Sequence, residues 1–305
     1  MDIKRNIQYI VIDLDRTLLN DDHKVSDRNK DVIKKVIAQD VKVILATGKT
    51  RQGAESVIAE LGLDTPGVFV QGLILYNADG TVRQEQALEP SIARHVIQYA
   101  ESEGFEVVAY SGNRLVCRYL DDAVEEITTF GEPMPQAVGS LINQVHQIKM
   151  NKLIVVGGSK RKLKALRWQL DQQIGGKVSF TDGGVLTSLE VLPKGVNKGQ
   201  GVKTLLRQLS ANAENVMGIG DAENDVEMLK TVGFAVAVKN AAEKTKAVAD
   251  EIVASNNDDG VAEAIERFVL KAEVLEETSA STTPDATTTP SDDSASQAKP
   301  EGDEA

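Results

Sequence analysis

The stretch Tyr9-Ile10-Val11-Ile12-Asp13-Leu14-Asp15-Arg16-Thr17 decides the fold of this chain. Its first four residues form an apolar run that predicts a buried parallel β-strand, and two carboxylates follow where that strand ends. Open α/β sheets bind their ligands at the carboxyl ends of the strands. Because residues two apart in an extended chain point the same way, Asp13 and Asp15 place two negative charges side by side. We expect a hard divalent cation to balance them, and such a pair on magnesium points to phosphate chemistry.

The first third of the chain alternates predicted strands and helices. Strands are expected at Gln8–Ile12, Val41–Ala46 and Gly67–Val70, with helices between them at Ser26–Gln39 and Arg51–Leu61. Repeated βαβ units build a parallel sheet with right-handed crossovers. The alternation stops near residue 80 and returns near residue 195. The later elements are predicted as helix Lys198–Leu209, strand Val216–Ile219, helix Asp225–Thr231, strand Phe234–Val238, helix Glu243–Ala249, strand Glu251–Val253 and helix Gly260–Leu270.

Between these two parts the pattern is different. Turn residues at Asn77-Ala78-Asp79-Gly80 and Gly112-Asn113 indicate antiparallel hairpins, and helical segments lie among the hairpin strands. This mixture predicts a separate α+β module inserted into the first sheet. The predicted fold class is therefore α/β: a Rossmann-like doubly wound parallel sheet core formed by residues 1–81 and 193–271, with an α+β domain inserted at residues 82–192.

The charge of the chain is acidic and unevenly spread. The 305 residues carry 34 Lys and Arg against 46 Asp and Glu, a formal net charge of -12. This balance argues against a protein that holds nucleic acid or an anionic membrane non-specifically. Residues 272–305 contain nine acids and one lysine, with almost no large apolar side chains. We expect this acidic tail to be disordered, because it cannot bury enough apolar surface to offset the entropy of ordering.

Cysteine usage and hydropathy bound the cellular setting. Cys117 is the only cysteine, which excludes an intrachain disulfide and a multi-thiolate zinc site and favours a reducing compartment. No apolar stretch approaches the roughly 20 residues of a membrane span, and the first strand starts too close to Met1 for a signal peptide. A soluble, cytoplasmic protein is the expectation.

Four separated motifs fall at the ends of strands or the starts of helices in the interrupted sheet. They are Asp13-x-Asp15-x-Thr17, Thr47-Gly48, Lys198, and Gly220-Asp221-Ala222-Glu223-Asn224-Asp225. A hydroxyl and a backbone N–H at the second motif can donate to a phosphate oxygen, and the third opens a helix whose dipole favours an anion. Each motif is weak alone. The combination of all four motifs in chain order, each at an element boundary, is a specific pattern.

Together these motifs resemble those of the haloacid dehalogenase superfamily of phosphohydrolases. Within it the chain is similar to the Cof-type subfamily, in which a large cap follows the second motif, and the match covers roughly residues 7–271. The resemblance implies that Asp13 is the nucleophile and forms an aspartyl-phosphate. It also implies that Asp15 protonates the leaving alkoxide and then, as a carboxylate, activates the water that hydrolyses the intermediate.

The resemblance further implies how phosphate and metal are held. Thr47, Gly48 and Lys198 would hold the transferring phosphoryl group. Asp13, the backbone carbonyl of Asp15, and Asp221 would bind Mg²⁺. Asn224, counted with the phosphate-binding residues, and Asp225 would complete the acidic end through Lys198 and metal-bound water. Phosphoryl transfer needs in-line positioning and cations near the phosphate oxygens, and Mg²⁺ with Lys198 would supply those cations.

The sequence departs from the family pattern at three places. Arg16 stands where glycine is common, and it should cost stability if the backbone there is unusual. Lys49 stands where arginine often follows Thr-Gly. Gln71-Gly72 replaces a frequent Asn-Gly after the third strand, which would alter how the substrate is oriented.

The expected activity is Mg²⁺-dependent hydrolysis of a small phosphorylated metabolite such as a sugar phosphate. Two alternatives remain open: a receiver-type phospho-acceptor signalling module, and a sugar phosphomutase of the same superfamily. An inserted cap favours turnover over signalling, because a cap excludes bulk water from the site. Four cap cations are candidates for contact with the leaving group, namely Arg114, Arg118, Lys149 and Lys152.

Overall fold

The computed structural model describes residues 6–182 and 187–270. Its strands are β1 (Tyr9–Ile12), β2 (Lys42–Leu45), β3 (Gly67–Phe69), β4 (Ile74–Tyr76), β5 (Val82–Glu85), β6 (Glu106–Ser111), β7 (Arg114–Cys117), β8 (Gln136–Ala137), β9 (Lys152–Val156), β10 (Val178–Asp182), β11 (Leu189–Pro193), β12 (Val216–Gly220), β13 (Phe234–Val238) and β14 (Glu251–Val253).

The helices connect these strands and cover the sheets. The α-helices are α1 (Asp27–Ala38), α2 (Glu55–Leu61), α3 (Pro90–Ser102), α4 (Asp122–Glu125), α5 (Lys160–Ile174), α6 (Lys198–Gln208), α7 (Val226–Leu229), α8 (Glu243–Lys246) and α9 (Gly260–Phe268). A π-helical turn spans Leu14–Leu18. Short 3₁₀ turns lie at Val70–Gly72, Glu126–Phe130, Leu141–Asn143, Ala213–Asn215, Glu223–Asp225 and Asn256–Asp258.

The central five-stranded sheet has the order β14-β13-β12-β1-β2, and every pair in it is parallel. Alternate residues of β1 face opposite layers. Ile10 and Ile12 join the core that includes residues of α1 and α9, whereas Val11 joins the core that includes residues of α6 and α7. The predicted doubly wound α/β class is therefore confirmed, since helices cover both faces of a parallel sheet.

The strand order places a topological switch at β1. From β1 the chain winds outward through β2 on one side, and it returns through β12, β13 and β14 on the other. Ile12 pairs with Ile219, so the loops after β1 and β12 leave the sheet side by side. Ligands of open α/β sheets bind in the crevice outside such a point.

The third predicted strand is only partly in the parallel sheet. Val68 forms one parallel bridge with Ala46, but β3 otherwise pairs antiparallel with β4, which pairs in turn with β5. The prediction of a third parallel strand is thus corrected. The chain reverses there because Val70, Gln71 and Gly72 all have positive φ, at 51°, 59° and 90°. A Cβ on Gly72 would also lie 2.4 Å from the Asn197 carbonyl oxygen, so the turn has no room for one.

A six-stranded sheet of order β10-β11-β9-β6-β7-β8 lies within the predicted insertion. Only the β7–β8 pair is parallel. Val107 and Val155 on one face pack with residues of α3 and α5, whereas Val108 and Ile154 on the other face belong to the core that contains β1. The second face is therefore the one that meets the carboxyl end of the parallel sheet.

Two parts of the sequence-based picture stay predictions. The division into a core of residues 1–81 and 193–271 and a cap of 82–192 is not settled by sheet membership, since β5 pairs with β4 across residue 81. The predicted disorder of residues 272–305 lies outside the described residues. Among the residues that the structure describes, no helix is long and apolar enough to cross a membrane.

Candidate active site

The loop after β1 carries the first two candidate carboxylates. The Asp13 backbone N–H donates to the Ile219 carbonyl at 3.0 Å, which fixes Asp13 at the sheet edge beside β12. Asp13 is 5% exposed, and Asp15 is more accessible, at 32% of its side chain. Thr17 donates from Oγ1 to Oδ1 of Asp221 at 3.1 Å. Both ends of the first motif, Asp13 and Thr17, therefore contact β12 or the loop after it.

Arg16 has an unusual backbone conformation at a position where the family commonly has glycine. Its φ of 59° and ψ of 11° lie in the left-handed region, which costs an L-residue roughly 1–2 kcal/mol. Its carbonyl accepts a hydrogen bond from Nδ2 of Asn240 at 2.8 Å. The turn is thus held by a contact from the loop after β13, and a glycine at position 16 would relieve the strain.

The loop after β2 brings the second motif to the same edge. The Thr47 backbone N–H donates to the Val68 carbonyl at 2.9 Å, and its Oγ1 accepts from the Lys49 N–H at 3.1 Å. Gly48 lines the cavity described below. Lys49 is buried, and its Nζ lies 2.8 Å from Oδ1 of Asp15. Lys49, which stands where the family often has arginine, is thus paired with the predicted acid–base residue.

Helix α6 delivers Lys198 to the carboxylates. Asn197 caps the helix by accepting the Gln200 N–H at 2.9 Å, so Lys198 is its first residue. Lys198 is 1% exposed, and its Nζ lies 2.6 Å from Oδ1 of Asp13 and 2.6 Å from Oδ1 of Asp225. Burial opposes the charged form, but the Asp13 and Asp225 carboxylates outweigh it and raise the pKa of Lys198. The ammonium is therefore charged at any physiological pH.

The loop after β12 supplies two more carboxylates. Asp225 is fully buried, and its Oδ2 accepts the backbone N–H groups of Asp221 and Ala222, each at 3.0 Å. Asp221 is 5% exposed and points toward the first motif through Thr17. Asn224 donates from Nδ2 to Oε1 of Gln71 at 3.0 Å. Asp225 thus orders the loop that presents Asp221.

Asp13, Asp221 and Asp225 form a buried acidic cluster. One carboxylate oxygen from each lies within 4.8 Å of those of the other two. Burial and then the nearby Asp225 raise the pKa of Asp13 well above its ordinary value. Burial and then Asp225 also raise the pKa of Asp221 to about 6. Three carboxylates with one ammonium between them leave negative charge unbalanced, and an all-oxygen donor set of this kind fits a hard divalent cation.

The raised pKa of Asp221 predicts a pH-dependent cost to folding in metal-free protein. Its value of about 6 exceeds the ordinary 3.8, so the native state binds a proton that the unfolded state releases. Protonation of Asp221 therefore stabilises the native state. This contribution is complete below pH 3.8 and is lost as the pH rises through about 6. In EDTA, we expect Asp221→Asn to raise the free energy of unfolding at pH 7.5 by up to about 3 kcal/mol.

Chemical denaturation at two pH values tests this expectation. The gain of Asp221→Asn over the wild type should shrink toward zero near pH 4, where the aspartic acid is itself uncharged. Asp22→Asn, in an exposed turn, serves as the matched control. A gain of the same size at both pH values would contradict the electrostatic origin of the effect.

A cavity of about 370 Å³ lies between the acidic cluster and the six-stranded sheet. Asp13, Asp15 and Asp221 line its core side. From the predicted insertion it is lined by Tyr110, Ile127, Phe130, Glu132, Lys152, Ile154, Ser188 and Glu190. The volume is that of an ordinary small-molecule site.

Two charged cavity residues, Glu132 and Glu190, were not identified from the sequence, nor were the contacts that Lys152 and Gln71 make. Glu132 accepts from the Thr50 N–H at 3.0 Å and from Thr50 Oγ1 at 2.6 Å, and Lys152 lies 2.7 Å from Glu190. Gln71 donates from Nε2 to Oε2 of Glu190 at 3.2 Å. Each pair joins residues 38 or more positions apart, so no local pattern could have revealed it.

The four predicted cap cations differ in whether they line the cavity. Lys152 lines the cavity. Arg114 is exposed, Arg118 lies 3.5 Å from Glu101, and Lys149 lies 2.8 Å from Glu85 on the exposed surface. Of the four, only Lys152 is placed to meet a leaving group.

The sequence-predicted site residues converge on one edge of the sheet. Asp13, Asp221, Asp225 and Lys198 are in direct or near contact, and Thr47 is buried in the adjacent loop. The remaining predicted residues line the cavity; these are Asp15, Gly48 and Asn224. Their catalytic and binding roles stay predictions.

Comparison with known proteins identifies the family to which the chain is similar. A family model described as haloacid dehalogenase-like hydrolase matches residues 10–265. Endoribonuclease YBEY, chloroplastic, of Arabidopsis thaliana is 33% identical over 277 residues, which are 88% of this chain but 47% of that protein, so the chain spans about half of its length. The 5-amino-6-(5-phospho-D-ribitylamino)uracil phosphatase YcsE of Bacillus subtilis is 26% identical, covering 87% of this chain and 97% of that protein.

A solved structure has the same fold. The crystal structure of a haloacid dehalogenase-like hydrolase from Bacteroides thetaiotaomicron aligns with a TM-score of 0.79 at 27% identity. The alignment covers 86% of this chain and 99% of that chain. The resemblance inferred from the four motifs is confirmed by the family match and by this structural similarity.

Proposed function

Because the chain belongs to the haloacid dehalogenase-like hydrolase family, we propose that it is a Mg²⁺-dependent phosphatase acting on a small phosphorylated metabolite. The observation that carries the proposal is the contact of Lys198 with Asp13 and Asp225, 2.6 Å from each, inside a cluster that includes Asp221. This arrangement would supply a carboxylate nucleophile, Asp13, beside a fixed cation, Lys198, in one buried place. The phosphatase named among the relatives has the same reaction class.

In the proposed reaction Asp13 attacks phosphorus and forms an aspartyl-phosphate. Its contact with Lys198 holds the carboxylate in place and tempers its negative charge as a dianionic phosphate approaches. Lys198 then also stabilises charge on the transferring group, together with the Thr47 hydroxyl and the backbone of Gly48. Asn224 would complete the phosphate contacts.

Asp15 is the proposed general acid and general base. It lies two residues beyond Asp13 and lines the cavity that would hold the leaving group. As an acid it would protonate the leaving alkoxide, and as a carboxylate it would take a proton from the water that cleaves the aspartyl-phosphate. Lys49, 2.8 Å from Oδ1 of Asp15, holds that carboxyl group toward the cavity wall.

The metal proposed for the cluster is Mg²⁺. Asp13, Asp221 and the backbone carbonyl of Asp15 would hold it, with Asp225 acting through Lys198 and metal-bound water. When bound, the ion would neutralise charge on the phosphate and allow a carboxylate to approach it. The three-carboxylate donor set is the observation that supports this assignment.

The inserted segment, residues 82–192, is proposed to act as a cap over the site. The cavity is bounded on that side by the six-stranded sheet, which would keep bulk water from the aspartyl-phosphate. A covered site favours turnover over the long-lived phosphorylation that a receiver-type signalling module requires.

Metal dependence tests the proposal directly. Release of phosphate from p-nitrophenyl phosphate and from a panel of phosphorylated metabolites should fall by at least about 100-fold in EDTA and return with excess Mg²⁺. The cation is required because Asp13 and the phosphate are both negatively charged. Metal-independent turnover would overturn the proposal, a stable acyl-phosphate without turnover would favour the receiver module, and conversion to an isomeric sugar phosphate would favour the phosphomutase.

A further inference from the structure

The six-stranded sheet presents a buried ion pair to the cavity. Lys152 on β9 and Glu190 on β11 lie on the same face, and Lys152 Nζ is 2.7 Å from Oε1 of Glu190. Tyr110 is the cross-strand neighbour of Lys152, whose ammonium lies 4.2 Å from the ring centroid. Lys152 is 2% exposed and Glu190 6% exposed. This pair is part of the cavity wall that a leaving group would contact.

Both members of the pair also form hydrogen bonds with residues on the opposite side of the cavity. Lys152 donates a second hydrogen bond to the Gly48 carbonyl at 3.3 Å, and Oε2 of Glu190 accepts from Nε2 of Gln71 at 3.2 Å. Gln71 in turn accepts from Asn224. Drawing the ammonium away would leave a buried carboxylate unbalanced, which is strongly unfavourable. The Lys152 ammonium is therefore not free to bind an anionic group of a substrate.

The remaining charges on that wall are negative. Glu132 is 7% exposed and is held by Thr50, so the three charged residues that the insertion contributes to the cavity sum to one negative charge. Residues 183–186, outside the described part, are Gly, Gly, Val and Leu and carry no charge. On the core side Lys49 is paired with Asp15. Arg16 also lines the cavity, but it belongs to the turn after β1 and not to the wall that the insertion forms.

Apart from Ser188 and the Tyr110 hydroxyl, the other described residues of the insertion that line the wall are apolar. Ile127, Phe130 and Ile154 line it beside the Tyr110 ring. Such a surface fits carbon-bound hydrogens of a sugar or polyol, while the fixed ion pair offers hydrogen bonds to hydroxyl groups. A second anionic group on the leaving alcohol would meet Glu132 and Glu190, with no free cation among the described residues of the insertion that line the cavity.

We propose that the Lys152–Glu190 pair selects phosphomonoesters whose leaving alcohol is uncharged and hydroxyl-bearing, and rejects those whose leaving alcohol carries a second anion. The selectivity rests on the proposed phosphatase function and names its substrate class. Lys152 and Glu190 are specificity-determining residues here, and they take no part in the phosphoryl transfer itself.

A matched pair of acyclic six-carbon esters tests the proposal. Sorbitol 6-phosphate and 6-phosphogluconate differ at the far end of the leaving group, where the second carries a carboxylate. With the full-length wild-type protein and saturating Mg²⁺, kcat/KM for sorbitol 6-phosphate should exceed that for 6-phosphogluconate by at least about tenfold. Glu190→Gln should reduce this ratio about tenfold by freeing the Lys152 charge, whereas Glu190→Asp should retain it.

The controls separate the outcomes. Glu103→Gln removes an exposed carboxylate of the same insertion and should leave the ratio unchanged. Equal or inverted preference in a wild type that hydrolyses p-nitrophenyl phosphate would overturn the specificity proposal alone. Should Glu190→Gln fail to fold, the wild-type ratio decides. Absence of turnover on every ester in Mg²⁺ would overturn the proposed function, and the specificity proposal with it.

Discussion

Asp13→Asn is expected to lower kcat by at least about 10³-fold while leaving the protein folded. The amide of asparagine is a poor nucleophile for phosphorus, and removal of a nucleophile typically costs far more than removal of a binding group. The side chains have nearly the same shape, so the loop after β1 need not move. Single-turnover phosphate release with saturating Mg²⁺ measures the effect without interference from product release.

The stability of this variant distinguishes lost chemistry from lost structure. Burial and the neighbouring Asp225 raise the pKa of Asp13, so its ionised form weighs against the native state. We expect Asp13→Asn to unfold in EDTA at a temperature at or above that of the wild type, despite its inactivity. Asp22→Asn in the exposed turn is the matched control and should keep full activity. Undiminished phosphate release by Asp13→Asn would rule out Asp13 as the nucleophile.

The positions of the site residues could be predicted from the sequence because the sheet does most of the positioning. Apolar runs identify β1, β2 and β12, and parallel strands end at one edge. Polar residues that directly follow such strands must therefore lie together, however far apart they are in the chain. Asp13 and Asp221 are separated by more than 200 residues and still share one acidic cluster.

The contacts across the cavity could not be predicted in this way. Lys152 and Gly48 are 104 residues apart, and Glu132 and Thr50 are 82 apart. Their meeting depends on how the six-stranded sheet lies against the parallel one, which no motif or periodicity specifies. The sequence drew attention to Lys152 only as one of four cations. It could not show that the ammonium is already paired with Glu190.

The turn after β3 was not predicted from the sequence, for a different reason. The segment Gly67–Val70 reads as another strand of the βαβ series, yet Val70 and Gln71 take positive φ and send the chain back along β4. Positive φ is unusual for valine, so no local preference announced it. The turn carries Gln71 to Glu190 and Asn224, which shows the strained backbone serving contacts at the site.

Lys198→Met is expected to remove both activity and a large part of the stability. The ammonium is 1% exposed and is the nearest positive charge to Asp13 and Asp225, at 2.6 Å from each. Removing one partner of a buried ion pair costs about 3–5 kcal/mol, because the other charge stays buried without compensation. We also expect kcat to fall by at least about 10²-fold, since a fixed cation beside the transferring group is lost.

A second substitution separates these two effects. Adding Asp225→Asn to Lys198→Met removes one of the two carboxylates that were left unbalanced, so the double variant should recover part of the free energy of unfolding measured in EDTA but none of the activity. Lys203→Met, an exposed lysine further along α6, is the matched control and should change neither. If the double variant is no more stable than Lys198→Met, the loss arises from packing rather than charge. A catalytically active double variant would show that Lys198 balances the cluster but does not assist phosphoryl transfer.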